Sequence, residues 1–202
     1  MNNTPYELPD GNRPCQGAIY RGITITLTMS ANPVELKQWD LLYAVILSQE
    51  CDLLQDHEHR QTEKEQPKNK TNVDKLLPTV LICPGYPAAD FREGKHLEAL
   101  GISIERKSSD QYKLVKMNRD PRYHFLAAWP QLQVAEMVVD FKHFFTIETE
   151  LLRDKYGTPD YYIARLTCPY REHLSHRFTS YLGRIGLPLD HHCIGSESKS
   201  ET

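Results

Sequence analysis

Short apolar segments with a period of two residues recur along the chain and constrain its fold more than any other feature. In the first, "AIYRGITITLTM", Ile23, Ile25, Leu27 and Met29 alternate with polar residues. This alternation is typical of a strand with one buried face. The stretch that follows, "SANPVELKQWD", is interpreted as a connection. The next run, "LLYAVILSQ", is continuously apolar at its centre and predicts a central strand.

Further strands are predicted along the rest of the chain. "LPTVLICPGYP" predicts a strand that Pro84, Gly85 and Pro87 bring to an end. "QYKLVKM" and "RYHFLAAW" are interpreted as two strands joined by a turn at residues 118–121. "EMVVDFKHFFTI" is interpreted as one alternating strand, and "DYYIARLTC" as another. Together these segments predict about seven strands.

The segment "PYREHLSHRFTSYLGRIGLP" has a helical pattern instead. Its apolar residues fall on one stripe at about 100° per residue: Leu174, Phe178, Tyr181, Leu182 and Ile185. Pro169 precedes the stripe, and Gly186 and Pro188 follow it, which is typical of the two ends of a helix. These features predict a helix over about residues 169–186. A second helix is predicted around "IETELLRDKYG".

A charged segment interrupts the strand pattern between Gln55 and Lys75. Val73 is its one aliphatic residue. Such a composition cannot bury enough apolar surface to order itself on a core. The segment is therefore interpreted as either a mobile excursion or a solvated helix, and both alternatives stay open.

The order of these elements predicts an α+β fold that is mostly β. We expect a small, strongly bent sheet or barrel, with an inserted charged loop and a C-terminal helix packed on it. Residues 15–190 are predicted to form a single domain, because 202 residues suffice for one domain with elaborations. Residues 1–14 are predicted to form an N-terminal arm, and residues 191–202 a disordered tail.

Composition limits the classes of function. The net charge is −3 with mixed signs, so any nucleic-acid surface has to be a local patch. The five cysteines have no regular spacing, which favours a reducing compartment over a disulfide framework. No stretch has the length of a membrane span or the pattern of a signal peptide. The sequence therefore predicts a cytoplasmic protein without membrane contact, and it predicts no cofactor.

Three segments carry a resemblance to a known family. A strand opening on "GAI" at residues 17–19 is followed by "YAVILSQ" and, after the charged segment, by "TVLICPGYP". Over about residues 15–95 this order resembles the MazF/PemK toxin family. The resemblance implies an SH3-like barrel, a homodimer and endoribonuclease activity within a toxin–antitoxin module.

The chain departs from the pattern of that family at three places. Ala18 stands where the family usually has an acid, Leu42-Tyr43 replaces an Arg-Pro pair, and Pro84-Gly85 replaces a Thr or Ser. The arginine and the hydroxyl that the resemblance associates with RNA cleavage are therefore missing. The chain also resembles bacterial proteins that combine a "Ser-Gln-x-Cys-Asp-Leu" element with a "Arg-Ile-Gly-Leu-Pro" end. That resemblance implies a mobile-element or phage-defence setting.

The "SQECD" segment is the first candidate site. Cys51 could be a nucleophile if a base or a cation lowered its pKa, and His57 and His59 are near in sequence. Asp52 opposes this role, because its negative charge raises the pKa of a neighbouring thiol. In the alternative interpretation, Cys51 is a small buried residue that closes a strand and Asp52 is the N-cap of a short helical turn.

Ser48 could be a nucleophile only with a base beside it, and no Gly-x-Ser-x-Gly motif surrounds this serine. Taken together, the candidate catalytic residues of this segment are Ser48, Cys51, Asp52 and His57. Arg60 or Arg92 is the candidate cation that would stabilise the charge of a phosphorane. The chain has no Walker loop and no dinucleotide motif, which argues against ATP hydrolysis and Rossmann redox chemistry.

Two further groups are candidates for binding. Cys168, His173 and His176 near the last helix, and "DHHC" at residues 190–193, contain ligand types that zinc prefers. Their spacing lacks a matching pair, so we interpret them as surface residues and predict no metal site. His173, Arg177, Ser180 and Arg184 form a row along one border of the last helix. Such a row could contact nucleic-acid phosphates or could be a solvated face.

Three functions follow from these observations. The first is a non-catalytic binding subunit for a protein partner, a nucleic acid or both, in a bacterial defence or mobile-element system. The second is a divergent MazF/PemK-like endoribonuclease with its site at "SQECD". The third is a metal-dependent enzyme that uses Cys51 or Asp52 with nearby histidines.

Overall fold

A computed structural model describes residues 4–9, 13–65, 73–155 and 158–184. Within these ranges the chain forms ten strands and five α-helices. The strands are β1 Tyr6–Glu7, β2 Ala18–Tyr20, β3 Ile23–Ala31, β4 Val34–Leu41, β5 Tyr43–Ile46, β6 Thr79–Pro87, β7 Tyr123–Leu126, β8 Met137–Asp140, β9 Phe145–Glu148 and β10 Tyr162–Leu166. The helices are α1 Glu50–Glu65, α2 Ala88–Glu93, α3 Ser109–Lys116, α4 Thr149–Arg153 and α5 Tyr170–Leu182.

Eight of the strands form one antiparallel sheet in the order β1-β10-β2-β5-β6-β8-β7, with β9 paired to β6. Strand β6 pairs with β5 along one edge. Along its other edge, residues 79–82 pair with β9 and residues 85–87 with β8. Because β6 pairs with two partners on one edge, the sheet curls into a half-barrel. The predicted fold class, α+β and mostly β with a small bent sheet, is confirmed at this level.

Gly85 lies at the point where β5, β6 and β8 meet. It pairs with Tyr43 on one side and with Val139 on the other. A Cβ atom added at Gly85 would lie 2.6 Å from the Met137 Sδ and 3.0 Å from the Tyr43 Cβ. Glycine is therefore required here by the close packing of side chains. The strand also continues through Pro84 and Gly85 to Pro87, so the prediction that Pro84 and Gly85 end it is wrong.

Strands β3 and β4 form a separate two-stranded sheet, a hairpin that leaves the main sheet after β2 and returns to it at β5. The interpretation of "SANPVELKQWD" as a connection is therefore wrong, because most of that segment is strand β4. Only Trp39 and Leu41 of β4 are buried, while Val34 and Leu36 are exposed. The apolar residues of β4 alternate with polar ones over residues 34–36 and again over 39–41, but the two runs are out of phase by one residue, so no single period of two extends through the strand.

The segment "QYKLVKM" is helical, so its interpretation as a strand is wrong. Helix α3 begins after Ser108, whose Oγ accepts a hydrogen bond from the Gln111 backbone N–H. The Gln111 side chain accepts in return from the Ser108 backbone N–H, which completes a capping box. Only Val115 of the helix is buried. A single buried residue leaves a periodicity too weak to separate a short helix from a strand.

The segment "EMVVDFKHFFTI" forms two strands and not one. Strand β8 ends at Asp140, and a turn precedes β9 at Phe145. The His143 N–H donates to the Asp140 carbonyl at 2.9 Å, and the Lys142 N–H to the Asp140 Oδ1 at 3.0 Å. The turn is needed because β8 and β9 both pair with the same edge of β6.

The predicted C-terminal helix is confirmed as α5, with Pro169 directly before it. Leu174 and Phe178 are its buried residues. The helix ends at Leu182, so the predicted end near residue 186 is wrong, because Gly183 is already its C-cap. The predicted tail lies outside the described residues. The helix predicted around "IETELLRDKYG" is present as α4.

The structure describes only part of the predicted N-terminal arm and part of the charged segment. Of the predicted N-terminal arm, Tyr6 is buried and pairs with Leu166, so residues 6–7 belong to the sheet. Of the charged segment, residues 55–65 belong to α1, which is a solvated helix. Residues 66–72 lie outside the described residues.

Apolar residues pack on both faces of the curled sheet. One cluster joins the hairpin base to β5, β6 and α2, with Ile25, Trp39 and Phe91 among its members. The other joins β8 and β10 to α5, with Phe141 and Phe178 among its members. In the part of the chain that the structure describes, no helix combines the length and apolar character needed to cross a bilayer.

Replacement of Gly85 by Ala tests the close packing at the three-strand junction. We expect Gly85→Ala to lower the free energy of unfolding by about 1–3 kcal/mol, because a new methyl group has to displace Met137 or shift β6. Urea denaturation measures the change. Gly183→Ala is the matched control, since its added Cβ meets no atom closer than 3.4 Å. An unchanged free energy of unfolding for Gly85→Ala would contradict the requirement.

Candidate functional site

The "SQECD" segment joins the end of β5 to the start of α1. The Ser48 Oγ accepts a hydrogen bond from the Leu81 N–H at 2.8 Å, which ties the segment to β6. Helix α1 begins at Glu50, so Cys51 and Asp52 lie in its first turn and both are exposed. The interpretation of Cys51 as a buried residue and of Asp52 as an N-cap is therefore wrong. Leu53 occupies the buried position instead, with 1% of its surface exposed.

Ser48, Cys51 and Asp52 line one cleft of about 560 Å³ between the start of α1 and helix α5. The Cys51 Sγ lies 3.5 Å from the Gln49 Oε1 and 3.5 Å from the Asp52 Oδ1. Both neighbours are hydrogen-bond acceptors. A thiolate nucleophile needs a cation or a positively charged imidazole beside it, and these neighbours provide neither.

The charges of this cleft are negative. Glu50 and Asp52 are its charged lining residues. Glu50 is held by Arg13, whose Nη2 lies 2.5 Å from its Oε1, and by the Gln16 N–H at 2.8 Å. The remaining lining is polar or apolar and includes Ser175, Thr179 and Phe178. The cleft can therefore accept hydrogen-bond donors, and it presents an unfavourable surface to a phosphate.

The other predicted members of this site do not join the cleft. His57 is half-buried on α1 and does not line it. Burial, followed by the charge of Arg13, lowers the pKa of His57, so this side chain is neutral at pH 7. Arg60 pairs with Asp56 at 2.8 Å and with Glu150 at 2.7 Å. Arg92 lies over the ring of Tyr112 at 5.3 Å.

The row predicted to contact nucleic acid does not lie wholly on the surface, because the Arg177 side chain turns toward the protein. Arg177 donates hydrogen bonds to the backbone carbonyls of Asn118, Asp120 and Tyr123. It therefore fastens α5 to the segment that leads into β7. Its guanidinium is directed inward because three carbonyls of that segment converge on it, and these contacts argue against the predicted contact with a nucleic acid.

The outer members of the row stay a prediction. The His173 ring lies 5.3 Å from the ring of His124, and burial lowers the pKa of His173. The Arg184 guanidinium lies 4.1 Å from the centroid of the Tyr181 ring, and its Nε donates to the Tyr181 carbonyl at 3.1 Å.

A buried charged network lies at the end of β8, and the sequence analysis missed it. Asp140 has no exposed surface. Arg122 Nε and Nη2 contact its two carboxylate oxygens at 2.8 and 2.5 Å, a bidentate pair. His143 Nδ1 lies 3.5 Å from the Asp140 Oδ2 and 2.9 Å from the Tyr86 hydroxyl. Asp140, which directly follows the apolar residues 137–139, was the available signal, because a buried acid requires a partner.

Two further histidines lie in apolar surroundings. His96 packs against the rings of Tyr86 and Phe91 at 4.7 and 5.0 Å. His124 is 3% exposed, and its Nδ1 has no hydrogen-bond partner. Desolvation by burial lowers the pKa of His96 to about 4 and that of His124 to about 3. Both side chains are therefore neutral at pH 7 and serve packing.

Metal ligands do not gather among the described residues. Within these ranges no group of three or more His, Cys, Asp and Glu side chains is placed to hold a metal ion. His173 and His176 thus have no third ligand in the described structure. The "DHHC" sequence at residues 190–193 lies outside the described residues.

Comparisons with protein-family models, with curated proteins and with solved structures found no match. Function is therefore inferred from the sequence and the geometry of this chain.

The buried histidines predict a loss of stability in acid. The pKa of His124 is lower in the folded chain than the ordinary 6.5 of the unfolded chain, so the unfolded chain binds the proton more readily. The stability that neutral His124 contributes to the folded chain is fully present above pH 6.5, and it is lost as the pH falls from 6.5 toward 3. We expect the free energy of unfolding to fall over this range by up to about 1.4 kcal/mol per pH unit for this group.

Urea denaturation at several pH values between 7 and 4 measures this slope. His124→Gln is expected to reduce the slope, because the amide does not titrate. His176→Gln is the matched control on the exposed surface of α5 and is expected to keep the slope of the unchanged protein. If the free energy of unfolding has the same pH slope in His124→Gln as in the unchanged protein, His124 is not the source of the acid instability.

Proposed function

We propose that the protein is a non-catalytic binding subunit that docks a protein partner through the outer half of the β3–β4 hairpin. The outer half is defined as residues 27–37. The observation that carries the proposal is the exposure of large apolar side chains on a hairpin whose base is fixed. The bacterial defence or mobile-element setting, and the cytoplasmic location, are parts of the same proposal and rest on the sequence.

The base of the hairpin is packed into the core. Ile23, Ile25, Trp39 and Leu41 are each no more than 8% exposed. The Trp39 ring stacks on Tyr86 with centroids 6.1 Å apart. A base fixed in this way holds the outer half in a defined direction, which lowers the entropy lost when a partner binds.

The outer half carries the exposed apolar side chains. Met29 is 45% exposed, Val34 68% and Leu36 66%. In addition, among the strands that the structure describes, β3 and β4 pair only with each other, so each has a second edge that no described strand covers. Apolar side chains beside a free strand edge are the features that β-strand addition by a partner uses.

The charges of the outer half favour a protein over a nucleic acid. Glu35 and Lys37 are its charged residues, and they cancel. Nucleic-acid binding needs an excess of Lys and Arg on one surface. Arg177, the central member of the predicted basic row, is occupied by backbone carbonyls. A protein partner with an apolar surface is thus the better fit.

The proposal also includes the fold type of the half-barrel. We assign the half-barrel to the SH3-like, MazF/PemK-like type. Support comes from the three segments that carry the sequence resemblance, because they form β2, β5 and β6, which are neighbours in the sheet. This assignment concerns the scaffold and implies no activity.

Replacement of the exposed apolar residues tests the docking surface. In affinity purification from the native host, the double variant Val34→Ser/Leu36→Ser is expected to recover a specific partner about tenfold less well. The physical reason is the lost burial of two aliphatic side chains in the complex. Leu114→Ser/Met117→Ser on α3 is the matched control, since both residues are 46% exposed.

Light scattering of the purified protein separates a second copy of this chain from a different partner. A dimer that the hairpin variant converts to a monomer would identify the occupant as a second copy. Recovery of the same proteins by the unchanged protein and by the hairpin variant would contradict the proposal.

The other two functions have less support from the geometry. An endoribonuclease site at "SQECD" would place RNA phosphates beside Glu50 and Asp52, in a cleft lined by no Lys, Arg or His. A metal-dependent enzyme at the same place would need ligands near Cys51, whose sulfur contacts Gln49 and Asp52.

Expression in a bacterial host distinguishes a ribonuclease from a binding subunit. We expect normal growth and intact total RNA for the unchanged protein, because the cleft contains no cation to stabilise a phosphorane. The variant Cys51→Ala/Asp52→Ala is expected to behave identically. Growth arrest with fragmented RNA in the unchanged protein only would support the endoribonuclease and contradict the binding subunit.

A further inference from the structure

A second cleft, of about 470 Å³, is lined by none of the hairpin residues 27–37. Its walls come from four places in the chain: the end of β1, the turn between β2 and β3, the loop at residues 131–133, and residues 158–163. Leu8, Leu132, Tyr162 and Ile163 supply its large apolar side chains. A cleft of this volume with an apolar lining has the dimensions of a small-molecule site.

Arg21 is the one cation among the residues that line this cleft. Its Nη2 donates to the Gln133 carbonyl at 2.5 Å, and its guanidinium lies over the Tyr43 ring at 5.4 Å. Its Nε is buried and has no hydrogen-bond partner. No carboxylate in the described structure pairs with it, although Asp160 also lines the cleft.

Arg21 differs from the other partly buried arginines in what its Nη atoms contact. Arg122 pairs with a carboxylate and Arg177 donates to three backbone carbonyls, whereas the Arg21 Nη2 donates to one carbonyl and to the Tyr43 hydroxyl. Neither of these two neutral acceptors balances the charge of Arg21, and an anionic ligand would supply the opposite charge. The remaining polar lining, Gln131, Gln133 and Thr158, can donate further hydrogen bonds.

We propose that this cleft binds a small molecule with an anionic group on an apolar body, and that Arg21 anchors the anionic group. A carboxylate and a phosphate monoester share the required chemistry, because both accept charged hydrogen bonds from a guanidinium. The apolar body lies against Leu132 and Ile163. This inference is independent of the proposed protein partner, since it uses none of the hairpin residues 27–37.

The experiment is a titration followed by ¹H–¹⁵N correlation spectroscopy of the full chain. Three probes are used: 4-phenylbutyrate, phenyl phosphate, and 4-phenylbutyramide as the neutral match of the first. We expect saturable shifts of the Arg21, Gln133 and Ile163 amide signals with at least one anion. The neutral amide is expected to bind about 10- to 100-fold more weakly, because it lacks the charged hydrogen bond.

Variants test the anchor and the cleft separately. Arg21→Met is expected to lower the affinity for the anion to that of the neutral amide, whereas Arg184→Met, on the exposed end of α5, leaves the affinity unchanged. Leu132→Trp fills the cleft while keeping Arg21, and it is expected to abolish binding in a chain whose other signals are unmoved. Absence of saturable shifts with both anions, or equal binding of acid and amide, would overturn the proposal. Unchanged binding by Leu132→Trp would also overturn it.

Discussion

Strand β6 is the element on which the rest of the structure depends, because it is shared by three other strands. It pairs with β5 on one edge and divides its other edge between β9 and β8. The right-handed twist of strands curls a sheet, and the change of partner along this edge of β6 accompanies that curl. Gly85 permits this arrangement, since the Met137 side chain occupies the space of a Cβ. The two apolar clusters on the faces of the sheet follow from the curl.

Arginines and one buried acid fix the elements that surround the sheet. Arg122 pairs with the fully buried Asp140 at the end of β8. Arg177 fastens α5 to the carbonyls of the turn before β7. Arg122 itself lies within residues 118–123, the segment whose carbonyls Arg177 contacts, so the two arginines attach this segment to β8 and to α5. Arg177, which the sequence pattern placed on a binding surface, is thus used to hold the fold together.

One turn joins the cleft lined by Arg21 to the hairpin that carries the proposed docking surface. Arg21 lies in the second cleft, and Ile23, two residues later, belongs to the buried base of the hairpin. Gly22 between them has φ +63°, and a Cβ there would lie 3.0 Å from the Tyr161 ring. This turn therefore has little freedom, and it fixes the positions of both surfaces relative to the main sheet.

The sequence by itself determined the elements that bury a continuous apolar pattern. Strands β5, β6, β7 and β10 and helix α5 were predicted, because burial of one face or of a whole strand imposes a period on the apolar residues. The bent, mostly β fold class followed from their order. Tertiary structure decided the rest. Strand β4 and helix α3 bury too few residues to show a period, and their conformations depend on a hairpin partner and on a capping box.

For the candidate sites, too, the sequence determined one part and the tertiary structure decided the other. The sequence indicated that Ser48, Cys51 and Asp52 belong together, since neighbours in sequence are neighbours in space. It could not show that Cys51 is exposed beside acceptors, or that Arg177 donates to three carbonyls while Arg21 donates to one carbonyl and one hydroxyl. Those facts depend on which backbone carbonyls and carboxylates the fold brings near each side chain. Only the tertiary structure decides such contacts, because their partners are far apart along the chain.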